Sequence, residues 1–310
     1  MQANSGSRRF PLAIAVLLFV FVLIPYLFWR GTWFGTKLTQ SQLRQYLAEK
    51  DKPRKVQHAL VQIELQMVEG NSEVSRWYPE VLKLSEHASK EVRITVAWVM
   101  GQDTTYAPFH QTLLKLVRDE QPMVRRNAAL SLVRFHDLSG KQEILSMLRP
   151  YPVAARSGGT ATIMVSAGDH CPHGKLLARI QNARGTDDVQ APISGSVSDL
   201  LTHNGNAVGA GQVLLTILPD ENQIWEALRA LYLIGSPEDL TDLSQYTTTK
   251  YSERVQRQAK ETILAIQRRR GSQRQGAKTQ RHKADQDEHY VLTKSVELGS
   301  LILGGQIYSP

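Results

Sequence analysis

Residues 189–220 read VQAPISGSVSDLLTHNGNAVGAGQVLLTILPD. This stretch has the pattern of short strands parted by glycine turns, whereas the chain on either side of it has helical periodicity. The pattern is written twice. Residues 165–177, VSAGDHCPHGKLL, match 201–214, LTHNGNAVGAGQVL, with Gly168 and Gly174 six apart and Gly205 and Gly211 also six apart. Each half predicts a strand, a glycine turn, a bridging apolar residue, a second glycine and another strand. Glycine is required where φ is positive or where backbones meet closely.

Outward from this unit the helical segments repeat. VQHALVQIEL from Val56, VRITVAWVMG from Val92 and VRRNAALSLV from Val124 each set a valine before a cation or amide and then small residues. Val92, Val96, Val99 and Met100, and likewise Val124, Ala128 and Leu132, fall on one face of a helix. Preceding segments with Trp77, Val81 and Leu84, or with Phe109, Leu113, Leu116 and Val117, supply outer partners. The copies lie 36 and 32 residues apart, as in a stacked helix-pair solenoid in which no pair buries its face alone. The pattern resumes from Ile224, with Leu228, and again from Val255, 31 residues later. Val124 and Ile224 are 100 residues apart, and removing 152–219 leaves 32. The β unit therefore reads as an insertion between two helices of one repeat, an outer one with Ile144, Leu145 and Leu148 and an inner one with Ile224, Leu228 and Leu231.

Residues 119–130, DEQPMVRRNAAL, resemble the HEAT family of repeats, including the HEAT-like repeats of phycobilisome lyases. The inserted unit resembles the barrel-sandwich hybrid of biotinyl and lipoyl domains. It is more similar still to that of periplasmic membrane fusion (adaptor) proteins, whose AlaPro-x-x-Gly-x-Val motif is matched by Ala191, Pro192, Gly195 and Val197. These resemblances imply a multidomain α+β fold: an α-solenoid of HEAT-like helix pairs with a small inserted β barrel. In the carrier domains a lysine on the central hairpin bears the prosthetic group, and that place falls at Arg184. Arginine stays protonated and forms no such amide, so no cofactor is expected. Membrane fusion proteins usually carry a helical hairpin there, and this chain has only a few residues.

His170, Cys171 and His173 are the residue types that bind zinc or copper. The internal repeat gives Cys171 the place of the apolar Val208, which makes it a small buried hydrophobe and puts both histidines on an exposed turn, with no fourth ligand in view. Asp187 and Asp188 read as hairpin-tip residues rather than an acid/base pair. No nucleotide loop or catalytic triad order is present, and the chain is not expected to be an enzyme.

Residues 10–29, FPLAIAVLLFVFVLIPYLFW, contain no charge and are long enough to span a bilayer as a helix. A signal peptide would have a shorter apolar core followed by small residues, so an uncleaved membrane anchor is expected. Arg8 and Arg9 before it nearly balance Arg30, Lys37 and Arg44 after it, and the short N-tail with its adjacent arginine pair favours an N-terminus in the cytoplasm and the bulk outside, in the periplasm or its equivalent. In a chain of formal charge +8, seven cations cluster in one tail, at Arg268, Arg269, Arg270, Arg274, Lys278, Arg281 and Lys283. Without interleaved aromatics this predicts a solvated, largely disordered tail and no specific nucleic-acid partner. A single cysteine excludes an intrachain disulfide. The expected organisation is a tail over 1–9, a transmembrane helix over 10–29, repeats over 38–150, the β domain over 152–219, repeats over 220–267 and the basic tail over 268–310. The function that follows is a membrane-anchored, non-enzymatic scaffold or adaptor for other membrane or periplasmic proteins. The two resemblances offer alternatives, a periplasmic adaptor of an export transporter and a protein like the chromophore lyases.

Overall fold

The structure, a computed structural model, describes residues 37–271 and, before them, Phe21 alone. The apolar run 10–29, Phe21 excepted, and the tail beyond 271 lie outside the described residues. Among the described residues no helix is long and apolar enough to cross a membrane. The chain forms two compact units, one ending at Pro219 and the other starting at Asp220.

The first unit begins with a ladder of helices: α1 (Gln40–Leu47), α2 (Pro53–Val68), α3 (Tyr78–Lys83), α4 (Lys90–Met100), α5 (Ala107–Leu116), α6 (Pro122–Arg134) and α7 (Lys141–Ser146). Thr39 starts α1 with a reciprocal capping box: its hydroxyl accepts from the Gln42 N–H, and its own N–H donates to the Gln42 side chain. A proline stands in the first turn of α2, α3, α5 and α6, where the missing N–H breaks no helical bond. Helix α2 packs on α4 and α4 on α6. Val56, Val92, Val96, Val124 and Ala128 are all fully buried there, in one core with Trp77, Val81, Phe109 and Leu113. Each such side chain contributes about 1.5–3 kcal/mol if wholly removed from water. The outer element before α4 is not one helix: 3₁₀ turns at Ser72–Trp77 and Leu84–Glu86 flank the short α3. Pro79 at its start accounts for the break, since it cannot donate to a preceding turn.

The cation or amide after each repeat valine is explained by its bonds. Arg93 donates through Nη1 to the carbonyls of His87 and Ala88, at 2.9 and 3.1 Å, and through Nε to Asp119 in the next repeat at 2.8 Å. Arg125 repeats this with the carbonyls of Asp119 and Glu120, at 2.9 and 3.0 Å, and Glu143 of α7 at 3.0 Å. In the first rung Gln57 reaches the Glu91 carbonyl and the Thr95 hydroxyl. One side chain thus satisfies carbonyls ahead of its own helix and ties one rung to the next.

The second unit contains α8 (Glu221–Ile234), α9 (Leu240–Ser244) and α10 (253–271). Asp220 caps α8 by accepting from the Gln223 N–H at 2.9 Å. Ile224, Leu228 and Val255 are buried. The helical region runs past the expected limit at 267. Arg268, Arg269 and Arg270 belong to α10, and Arg269 donates to the carbonyls of Tyr232 and Gly235 at 2.7 and 3.0 Å.

Between α7 and Pro219 lies the barrel. Its strands are β1 (Tyr151–Ala154), β2 (Gly159–Ile163), β3 (His170–Cys171), β4 (Leu176–Asn182), β5 (Gly185–Gln190), β6 (Gly195–Leu200), β7 (Ala207–Val208) and β8 (Val213–Pro219). They form two antiparallel sheets, ordered β1-β8-β6-β3 and β5-β4-β2-β7. Each sheet mixes strands of both halves, as a pseudo-twofold axis requires. Gly174 donates to the Ala191 carbonyl and Gly211 to that of Ala155, both at 2.8 Å. Gly168 likewise donates to Val197 at 2.8 Å, and Gly205 to Ala161 at 2.9 Å. These four turn glycines have φ of 85°, 81°, 87° and 84° in the order named. The offset between halves is 36 at Ala155/Ala191 and Gly159/Gly195 but 37 from Gly168/Gly205 onward. The extra residue is a β-bulge at Ser198, between Val197, which pairs Ile217, and Asp199, which pairs Thr216.

Gly195 crosses Cys171, and its counterpart Gly159 crosses Val208. A Cβ at Gly195 would run into the Leu218 carbonyl oxygen, and one at Gly159 into that of Gln181. Gly195→Ala and Gly159→Ala are each expected to destabilise the protein by about 1–3 kcal/mol. Gly209→Ala, with nothing within 4 Å of its Cβ, should stay within about 0.5 kcal/mol. Urea unfolding of the three variants measures this, and equal midpoints would contradict the close-approach account.

Candidate functional site

The barrel is seated on the helix ladder. Met123, in the first turn of α6, packs against the barrel core. Three residues on, Arg126 is 1% exposed, with its guanidinium 5.8 Å from the centroid of the Tyr151 ring at the start of β1. Glu143 of α7 holds it, at 3.7 Å from Arg126 Nε and 3.0 Å from Arg125 Nε. Burial opposes the charge on Arg125, but the bond and charge of Glu143, with the Tyr151 hydroxyl, outweigh it and raise its pKa. A second contact region is electrostatic. The β3–β4 turn brings His173 near Lys90 and Glu91 at the start of α4; burial, then the Lys90 charge, lowers the pKa of His173 while Glu91 opposes them.

Arg184 lies at the tip of the β4–β5 hairpin, in a turn that Asn182 opens and Gly185 closes, the residues such a turn favours at those positions. Its N–H donates to Asn182 Oδ1 at 2.8 Å and its side chain is exposed. The Asn182 amide donates to Ser157 and Asp187, which also bond each other, so the tip is tied to the β1–β2 loop. Asp187 and Asp188 stand in β5, beyond the tip itself, and use opposite partners: Asp187 bonds Ser157, and Asp188 pairs with Arg179 at 3.2 Å. Neither faces the other as an acid/base pair must.

Cys171 is fully buried, and its counterpart Val208 is 6% exposed. Burial pushes the thiol pKa up. His170 is exposed, but His173 is half-buried against the ladder rather than on an open turn. Among the described residues no group of three or more His, Cys, Asp or Glu side chains is arranged to hold a metal ion. Elsewhere on the barrel, a depression of about 370 Å³ lies where the chain leaves β2 and β6, lined by Met164, Leu200, Thr202 and His203. Met164 and the neighbouring Leu201 are exposed.

Three features were not read from the sequence. Gly159 was hidden because the bulge shifts the offset between halves; alignment of Ala155 and Gly159 with Ala191 and Gly195 would have found it. Arg126 and Tyr151 carry no local signal, because they meet only through the fold. The rung bonds of Arg93 and Arg125 were visible as a recurrent cation without their purpose.

A family model of HEAT repeats matches residues 78–154, and one described as "Biotin-requiring enzyme" matches residues 152–217. The chain thus carries HEAT repeats and a biotin/lipoyl-type domain that meets them end to end. Among solved structures, it is similar to a single-chain, multi-domain long-chain acyl-CoA carboxylase, with 16% identity and a TM-score of 0.22 over 37% of this chain; it spans only 12% of that one. It is also similar to a designed armadillo repeat protein, with 13% identity and a TM-score of 0.36, covering 72% of this chain and 80% of that one. No curated protein matches the chain.

The His173 contact has a pH signature. Its folded pKa lies below the ordinary 6.5, so the unfolded chain takes up this proton first as pH falls. The stability His173 contributes is complete above about 6.5 and is lost as pH falls through the lower folded value. Thermal unfolding followed from about pH 7.5 to about pH 5 should show a decline that is smaller in His173→Gln; an identical decline in that variant would contradict the contact.

Proposed function

We propose that the chain is a membrane-anchored, non-enzymatic scaffold in which a HEAT-like surface and an unmodified barrel bind other proteins. HEAT repeats and a biotin/lipoyl-type domain together make an interaction module. The observation that carries the non-enzymatic part is Arg184 at the tip of an intact carrier-type hairpin. A guanidinium is charged at every relevant pH and is not a nucleophile toward an activated acyl group. Lys175 is no substitute, because it sits in the first glycine turn with its Nζ donating to the His170 carbonyl at 2.8 Å. With one side of the barrel seated on α6, the exposed Met164 and Leu201 remain for a partner.

The anchor is the uncharged run 10–29, and the arginine pair before it supports a cytoplasmic N-terminus with the bulk outside the cytoplasm. The partners are other membrane or extracytoplasmic proteins. Intact-mass measurement of the full chain, expressed with active biotin and lipoate ligases, should give the mass of the unmodified polypeptide. A biotinyl or lipoyl adduct on any lysine of the barrel would overturn the reading. Crosslinking in intact membranes should give partners whose yield falls when Met164→Asp and Leu201→Asp are combined.

A further inference from the structure

One kind of buried bond recurs, once within each unit, in different surroundings. In the ladder the Ser131 hydroxyl donates to the Ala97 carbonyl at 2.8 Å; in the second unit Thr262 donates to Leu228 at 2.9 Å. Both members of the pair are displaced by 131 positions, so the remaining positions of the two rungs can be matched residue by residue. In the ladder Arg134 bonds Gln102 at 2.7 Å and its guanidinium lies 5.8 Å from the Trp98 ring, which closes the groove between α4 and α6 with polar contacts. The positions matching Gln102, Val133 and Arg134 are Leu233, Leu264 and Ala265. Leu233 is 55% exposed, Leu264 51% and the adjacent Tyr232 43%. With Arg229, Glu261 and Arg268 they line a groove of about 410 Å³ between α8 and α10. The position that Arg134 and Gln102 bridge in one unit therefore exposes Leu233 and Leu264, among charged neighbours, in the other, where Arg269 ties α10 to the end of α8 instead.

We infer that this groove is the seat of the chain's own segment 290–305, YVLTKSVELGSLILGG. The groove ends beside the point where α10 reaches residue 271, and 39 residues follow in the sequence. Leu264 lies seven residues back along the helix, about 10 Å. The intervening residues 272–289 number 18, and a chain of that length spans on the order of 25 Å, enough to return the segment to the groove. The segment is the one apolar stretch after α10, and its two charges, Lys294 and Glu297, complement Glu261 and the flanking arginines.

The test uses the full chain with Leu264→Cys and Val296→Cys, or Leu264→Cys and Leu301→Cys, leaving the buried Cys171 in place. A short bismaleimide is applied to a mixture of isotopically labelled and unlabelled chains. Intrachain crosslinks are expected, and Leu233→Asp, which leaves the tether intact, should slow them about tenfold. Leu233→Gln provides a milder second variant should the aspartate disturb folding. Crosslinking that neither variant slows, or that is no faster than for a Leu138→Cys and Val296→Cys pair, would overturn the inference. So would products that join labelled to unlabelled chains only, which would assign the groove to a second copy.

Discussion

The first unit depends on one buried arginine. Arg126 sits on the inner helix α6, 1% exposed, at the position that His58 and Ile94 hold in the preceding rungs, and a charge buried there is tolerated only with a partner. Glu143 supplies it from α7, while also holding Arg125, so a single carboxylate fixes both the last ladder helix and the cation that meets Tyr151. Tyr151 is the first residue of the barrel. The chain passes from α7 through a few residues into β1 and arrives at the group that α7 has already positioned, so the barrel's placement follows from the ladder's own packing.

The barrel's symmetry decides what it can present. Strands β1 and β8, where the chain enters and leaves, are paired with Tyr151 opposite Ile217, and the pseudo-twofold axis makes β4 and β5 their counterpart. Entry and exit lie side by side at one end, and the hairpin tip is at the other. A domain with this layout can be inserted in a chain without disturbing the flanking elements and still offers its far end outward. In a carrier that end bears the prosthetic group; here it bears Arg184, pinned by the Asn182, Ser157 and Asp187 bonds.

Much of this was legible in the sequence for physical reasons. Burial of one helix face forces apolar residues to i, i+4 and i+7, so Val92, Val96, Val124 and Ala128 announced themselves. Positive φ leaves glycine the easy choice, so the four turn glycines pair in the sequence itself. The seat of the barrel was not legible, because Arg126 and Tyr151 are distant in sequence and an arginine on an amphipathic helix usually means a solvated face. The end of α10, at 271, was not legible for a similar reason. The run Arg268, Arg269 and Arg270 has the composition of a solvated tail, yet Arg269 finds two carbonyls at the end of α8, a role that composition cannot reveal.

The most direct test of a barrel fixed to its ladder is a double-mutant cycle between Arg126→Ala and Tyr151→Ala, measured as the unfolding free energy of the full chain. Direct contact predicts a coupling of about 0.5–2 kcal/mol between the two substitutions. Additive effects, with a coupling below about 0.3 kcal/mol, would mean that the barrel is merely strung between helices rather than seated on them.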